Sequence, residues 1–215
     1  MVLFGVVGEL GAGKTLTLTF LGWKNWFYRD KVIYSNYHLY KIPYIYIDSV
    51  EKLDSMREGF FLADEFWLWI DSRSARKALN KVVADILLKS RKRGLTYCFT
   101  AQLLDLLDKR VRKVMDFTAY PVLNPHESVC KTSIFRTGYP RNSNYLRTFY
   151  FRTPVIFNLY DHREEIEPLT DKELPQNLIV FQENPDTKPI FFPTWEEADA
   201  YARKFWKKFD VKKVI

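Results

Sequence analysis

Little in this chain suits a disulfide scaffold, a metal cluster or a membrane span. Its 215 residues hold two cysteines, Cys98 and Cys130. That is too few for a disulfide-rich secreted framework or a four-cysteine zinc site. The three histidines, His38, His126 and His162, stand far apart and show no metal-ligand spacing. No apolar run reaches about 18 residues, so the length rule gives no transmembrane helix. The N-terminus, Met-Val-Leu-Phe-Gly-Val-Val-Gly-Glu, lacks the basic start and small-residue cleavage site of a secretory signal. There is no internal repeat and no low-complexity tract. These absences predict a soluble, cytoplasmic protein.

What is present fits one globular domain, or one domain with a small appendage. Hydrophobic residues make up 47% and charged residues 27%, which argues against extended disorder. Thirty-three Lys and Arg against 26 Asp and Glu leave a net charge of +7, a surplus that suits a polyanionic partner. Aromatic residues reach 17%, with 17 Phe, 13 Tyr and 6 Trp. That density predicts that some of them lie at an interface rather than in one small core.

The most specific signal comes first in the chain. Val2 to Val7 is a short apolar run rich in β-branched residues and reads as a buried parallel strand. Gly8-Glu9-Leu10-Gly11-Ala12-Gly13-Lys14-Thr15 follows at once and matches G-x-x-x-x-G-K-[ST] without a mismatch. Leu16 to Tyr28 then has apolar residues at helical spacing. Strand, glycine loop and helix are the context the motif needs. Glycines let the backbone curl so that successive N–H groups face phosphate oxygens, and the helix N-terminus adds partial positive charge. A cradle from Gly8 through Leu16 is therefore expected to bind ATP. Lys14 would reach the β- and γ-phosphates, and the Thr15 hydroxyl would ligate Mg²⁺.

A hydrolase needs a second strand that ends in acid. Phe60 to Ala63 is a buried-strand run closed by Asp64 and Glu65. Asp64 is expected at Mg²⁺ and Glu65 as the general base for water. Leu95 to Ala101 reads as a further strand, and a polar residue at its tip would face the γ-phosphate or the lytic water. Gln102 is the first choice there and Thr100 the second. Between these strands, Ala75, Leu79, Val82, Val83, Ile86 and Leu87 fall on one face of a helix that Ser72 or Ser74 can cap and Gly94 ends. Its last turn, Lys89 to Arg93, either stabilises the helix end or offers an arginine to a neighbouring subunit. Lys109 to Lys113 form a second basic cluster open to the same roles, to DNA contact, or to simple solvation.

In this order the elements resemble the HerA/FtsK superfamily of P-loop ATPases. Within it, the chain is similar to the small genome-packaging ATPases of archaeal viruses and plasmids and to Zot-like proteins of filamentous phages. The carrying residues are Gly8 to Thr15, Leu62 to Glu65, Phe66 to Arg73, Arg91 to Gly94, and Thr100 to Gln102. They cover roughly residues 1–160. The resemblance implies an α/β RecA-like fold with a mostly parallel sheet flanked by helices. It implies a homo-oligomeric ring, usually a hexamer, that moves double-stranded DNA at the expense of ATP. Capsid or portal components become candidate partners, and the virion a transient location. Lys14, Thr15, Asp64, Glu65 and Gln102 carry over directly. The arginine supplied in trans does not: Arg91 and Arg93 are the first choices, and Arg73 and Arg110 remain open. The separate DNA-reading domain and membrane segments of FtsK-type proteins, the N-terminal barrel of HerA-type proteins and the transmembrane helix of Zot-like proteins have no counterpart here. A stripped packaging motor fits best. A Zot-like assembly or secretion ATPase, a small-molecule kinase and a non-motor assembly platform are the rivals.

The remaining segments read as follows. Val32 to Ser35 is a second parallel strand. The tyrosines between Tyr37 and Tyr46 suit base stacking or, preferably, a subunit face. Asp48 and Glu51 have capping-box spacing for a short helix. Asp116 to Leu123 is a strand. Residues 129–153 form a hairpin whose Gly138 to Asn144 loop, with Arg141, either faces a pore or is an ordinary turn. Residues 161–215 read as an extension ending in an amphipathic helix. Thr194 and Glu197 would cap that helix, Ala198, Tyr201, Ala202, Phe205 and Phe209 would be buried, and Arg203, Lys204, Lys207 and Lys208 would face outward.

Overall fold

A computed structural model describes residues 2–70, 85–86, 89–107, 109–137, 144–166 and 178–207. The elements run β1 (Leu3–Val7), α1 (Lys14–Arg29), β2 (Val32–Ser35), β3 (Tyr44–Tyr46), α2 (Val50–Ser55), β4 (Gly59–Ala63) and α3 (Trp67–Ile70). A 3-10 turn (Ser90–Arg93) then leads to β5 (Thr96–Ala101), and a second (Leu104–Leu106) to α4 (Lys109–Val114). The chain finishes with β6 (Phe117–Asn124), β7 (Val129–Arg136), β8 (Tyr145–Arg152), α5 (Thr153–Phe157), β9 (Ile179–Phe181), β10 (Ile190–Phe192) and α6 (Trp195–Trp206). The expected helix of residues 72–87, Arg73, Arg141, Lys208 and Phe209 lie outside the described residues, apart from Asp85 and Ile86.

The strands join one ten-stranded sheet in the order β10-β9-β3-β2-β4-β5-β1-β6-β7-β8. The six central strands, β3 to β6 in that order, pair in parallel. Each end is antiparallel: β9 and β10 extend one side, and the β6-β7-β8 meander extends the other. Central parallel strands are covered on both faces, so they read as unbroken apolar runs. Gly-Phe-Phe-Leu-Ala in β4 is buried at every position.

One face of the sheet carries α1 and α6. Leu16, Phe20, Trp23 and Trp26 of α1 join Val6, Ile33, Cys98 and Phe151 in its core. The other face packs Leu53, Phe66, Trp69 and Val111 over Leu3, Phe61, Tyr97 and Phe99. Each fully buried large apolar side chain contributes about 1.5–3 kcal/mol of transfer free energy. Both cysteines are free and buried, and burial pushes both thiols up.

Four local expectations change. Ser49, not Asp48, caps α2: its extended backbone places the hydroxyl 3.3 Å from the Lys52 amide, whereas Asp48 lies one residue too early and pairs with Lys52 Nζ instead. Tyr37, Tyr40 and Tyr44 are buried within this chain rather than on a subunit face, because the loop after β2 is roofed by Leu159, Tyr160 and Gln182. Thr194 caps α6 as expected, with its hydroxyl accepting from the Glu197 amide. The buried stripe of α6, however, is Ala198, Ala202 and Trp206, while Tyr201 is exposed. Arg203 turns toward α1, donating to Asp199 and Asp30 and reaching the Trp26 and Phe27 carbonyls. Acid at Asp30 and Asp199 and the carbonyls at the end of α1 draw the cation inward.

Trp206 fastens α6 in place. Its ring packs 5.8 Å from Trp23 and 6.2 Å from Trp26, and its indole N–H donates to the Lys41 carbonyl at 2.6 Å. Trp206→Ala is expected to cost about 3–5 kcal/mol, as large-to-small core changes do. Urea unfolding followed by far-UV circular dichroism measures this, and Trp206→Phe, which keeps a ring, should cost clearly less. An unchanged midpoint in the alanine variant would mean that α6 docking adds nothing to stability.

Candidate nucleotide site

The carboxyl ends of β1, β2, β4 and β5 meet on one edge of the sheet. Val7 aligns with Ala101, Ala63 with Phe99, and Ser35 with Leu62. The segments that leave these strands are therefore neighbours. They are the loop from Gly8, Asn36, the Asp64-Glu65 pair, and Gln102. In open α/β sheets this is where ligands bind, in the crevice beyond the strand ends.

The loop from Gly8 to Gly13 curls tightly. Ala12 donates its amide to the Glu9 carbonyl at 3.2 Å. Gly11 and Gly13 have φ of 75° and 90°, left-handed conformations that an L side chain adopts only under strain. A Cβ at Gly13 would also come 3.3 Å from the Cys130 sulfur. The helix α1 begins at Lys14 with no side-chain cap on its first amides. Uncapped first-turn N–H groups beside a curled loop are donors suited to an anion. The Lys14 ammonium lies across the loop, 2.9 Å from the Glu9 carbonyl. Partial burial lowers its pKa, opposed by the charges of Asp64 and Glu65.

Asp64 is the most tightly held group of the site. Thr15 Oγ1 donates to one carboxylate oxygen at 2.9 Å and Thr100 Oγ1 to the other at 2.6 Å. Asn36 clamps the Asp64 backbone from both sides: its Nδ2 donates to the Asp64 carbonyl at 2.9 Å, and its Oδ1 accepts from the Asp64 amide at 2.7 Å. Burial raises the Asp64 pKa, while the two threonine hydroxyls and the Glu65 amide pull it back down. Glu65 takes a left-handed backbone, φ 45°, and its amide donates to Thr100 Oγ1 at 2.8 Å. A non-glycine residue held there marks local strain of the kind that collects at functional sites. Burial first, then the charge of Asp64, raises the Glu65 pKa.

These residues fit a nucleotide with Mg²⁺. Thr15 Oγ1 and Asp64 Oδ2 are hard oxygens 2.9 Å apart. Mg²⁺ takes such ligands, and one or two protein groups suffice because it keeps several waters and phosphate oxygens.

Of the residues picked out in the sequence, Lys14, Thr15, Asp64, Glu65 and Thr100 are brought together. Gln102 lies half-buried just beyond β5 on the same edge. Thr100, the second choice for contact with the γ-phosphate or the lytic water, donates to the Asp64 carboxylate and accepts from the Glu65 amide. Arg91 and Arg93 fall in the turn before β5, at the opposite edge of the sheet. Only the backbone of Arg91 is described, and Arg93 is bound within the chain to Asp54 at 2.8 Å. Arg110 sits exposed on α4, whose neighbour Arg112 pairs with Asp105. Sequence reasoning missed Asn36, for which a polar residue directly after a buried strand was the available signal. It also missed the segment after Tyr160. There Glu164 accepts from the His38 amide at 2.7 Å and contacts the His38 ring at 2.6 Å, and the charge of Glu165 acts on Glu65.

No protein-family model matches the chain, and no curated protein matches its sequence. Solved structures do match. The N-terminal domain of zonular occludens toxin from Neisseria meningitidis superposes with a TM-score of 0.53 at 16% identity, over 74% of this chain and 98% of that one. The genome-packaging NTPase B204 of Sulfolobus turreted icosahedral virus 2, in complex with ATP-gammaS, gives 0.48 at 12% identity, over 68% and 96%. The fold is the RecA-like P-loop ATPase fold, a mixed and mostly parallel sheet flanked by helices.

Thr100→Ala would strip a buried carboxylate oxygen and the Glu65 amide of a partner. It is expected to cost about 1–3 kcal/mol in chemical unfolding, and Thr100→Ser should restore most of it. Equal midpoints for all three proteins would show that the pairing carries no stability.

Proposed function

We propose that this chain is a Mg²⁺-dependent ATPase that drives double-stranded DNA movement as a homo-oligomeric ring, in the service of genome packaging. The observation that carries the ATPase reading is the Asp64-Glu65 pair locked beside Thr15 and Lys14 at the mouth of the glycine loop. The DNA reading is supported by the sequence resemblance and by the net charge of +7. In this reading residues 1–160 form the motor and 161–215 an extension.

Backbone amides of the Gly8 to Leu16 cradle that are not bonded within the protein, as those of Gly8 and Ala12 are, hold the phosphates, and Lys14 exchanges the Glu9 carbonyl for β- and γ-phosphate oxygens. Thr15 and Asp64 would hold Mg²⁺, which when bound neutralises developing phosphate charge. Glu65 takes a proton from the attacking water. Thr100 fixes Glu65 through its amide and Asp64 through its carboxylate, so both acids are placed before the nucleotide arrives. Gln102 is the residue assigned to orient water or the γ-phosphate. Arg91 or Arg93 of a neighbouring subunit is the proposed source of trans charge, with Arg73 and Arg110 as alternatives. A raised Glu65 pKa leaves part of the population protonated and inactive in mild acid.

Steady-state hydrolysis with and without double-stranded DNA tests this. Glu65→Gln keeps size and should lower turnover by about two to four decades while ATP binding persists. DNA-stimulated turnover that disappears in the variant supports the motor. Turnover indifferent to DNA would move the cargo to protein, as in a virion-assembly ATPase. In the wild type, kcat should rise with pH through an acid limb above the ordinary carboxylate range. An acid limb that persists unchanged in Glu65→Gln would remove Glu65 from the role of base.

A further inference from the structure

We propose that the outer face of the β6-β7-β8 meander is a binding surface for single-stranded nucleic acid, separate from the nucleotide site. Strand alternation divides this meander sharply. Ala119, Cys130, Thr132, Ile134 and Phe151 point to the core under α1. On the opposite face Thr118 is buried and Leu104 of the second 3-10 turn stands at the rim, but the aromatic side chains beyond them are open. Tyr120 is 41% exposed, Tyr145 55% and Tyr150 59%. They share one face because Tyr120 pairs with Ser133, Phe135 with Tyr145, and Lys131 with Tyr150. Beside them runs a groove of about 710 Å³ whose described lining includes Tyr120, Phe135, Lys131 and Arg136 and no carboxylate.

The rings are arranged before any partner arrives. Phe135 stands edge-on to Tyr120 at 5.7 Å and to Tyr145 at 5.6 Å. The Tyr145 hydroxyl donates to Thr148, which bonds Ser133 at 2.9 Å. Lys131 sits 6.0 Å above the Tyr150 ring. Fixed rings lose little side-chain entropy on binding. A contiguous exposed aromatic surface of this kind marks an interaction site.

Charge and shape choose that partner. Two cations and no carboxylate along the described groove suit a polyanion. Flat rings suit unstacked bases, which only a single strand offers, and stacking tolerates any base. A duplex presents phosphates but no free base faces. A second copy docking face to face through the same patch would set Lys131 and Arg136 against like charges, and a head-to-tail contact within a ring is the rival occupant that sedimentation reads.

Fluorescence anisotropy of a labelled oligo-dT of about 15 nucleotides, with the full-length protein and no ATP, tests this. The expected result is binding that tightens at low salt, with a single strand preferred over a duplex of equal length. Tyr120→Ala with Tyr150→Ala should weaken binding at least tenfold, and the corresponding Phe pair should leave it near wild type. Lys131→Ala should reduce the salt slope by about 0.7, the share of one phosphate contact. Circular dichroism confirms that each variant folds. Undiminished single-strand binding in the alanine pair overturns the proposal, as does a loss of duplex binding in that pair as large as the loss of single-strand binding. A change in sedimentation with no change in oligonucleotide affinity also overturns it, and would assign the face to a second copy. ATP turnover enters none of these readouts, so failure here leaves the ATPase reading standing.

Discussion

The site depends on one buried carboxylate. Asp64 leaves the end of β4 away from bulk water, and burial alone would favour its neutral form. Two threonine hydroxyls from different elements, Thr15 at the start of α1 and Thr100 near the end of β5, donate to its two oxygens. Asn36, directly after β2, fixes its backbone. Three segments, separate in sequence from Asp64 and from one another, thus converge on a single residue. An unpaired charge at this depth would be too costly to keep. The register of β1, β2, β4 and β5 and the position of Asp64 are therefore mutually dependent.

The rest of the molecule supports that edge. A parallel core needs cover on both faces, and α1 with α6 supplies one of them. The C-terminal segment is more than a tail in this respect. It adds β9 beside β3, roofs the loop after β2, and places Trp206 against Trp23 and Trp26. The segment around Glu164 and Glu165 is tied to the same loop through His38, and so brings negative charge near Glu65.

Where sequence reading went astray, the reasons are physical. The tyrosines from Tyr37 to Tyr44 are chemically suited to an interface, and nothing local shows that residues more than a hundred positions later will cover them. Arg203 has helical spacing for a solvent face, yet Asp30 and the end of α1 capture it. Asp48 and Ser49 are both good caps, and the choice rests on which backbone is extended at the helix start. Thr100 was visible as a polar strand tip, but its partners come from β4, so its role in ordering both acids could not be read.

The sequence by itself determined the glycine loop, the strand that leads into it, the helix that follows, and the acid pair ending a buried strand. Each is a local pattern whose chemistry follows from residue type and spacing. Only the tertiary structure decided that Thr15, Asn36 and Thr100 converge on Asp64. It also decided that β9 and β10 close one side of the sheet and that the β6-β7-β8 meander leaves an aromatic face exposed. Those outcomes depend on strand order and register, and both are fixed by long-range packing rather than by any neighbour in the chain.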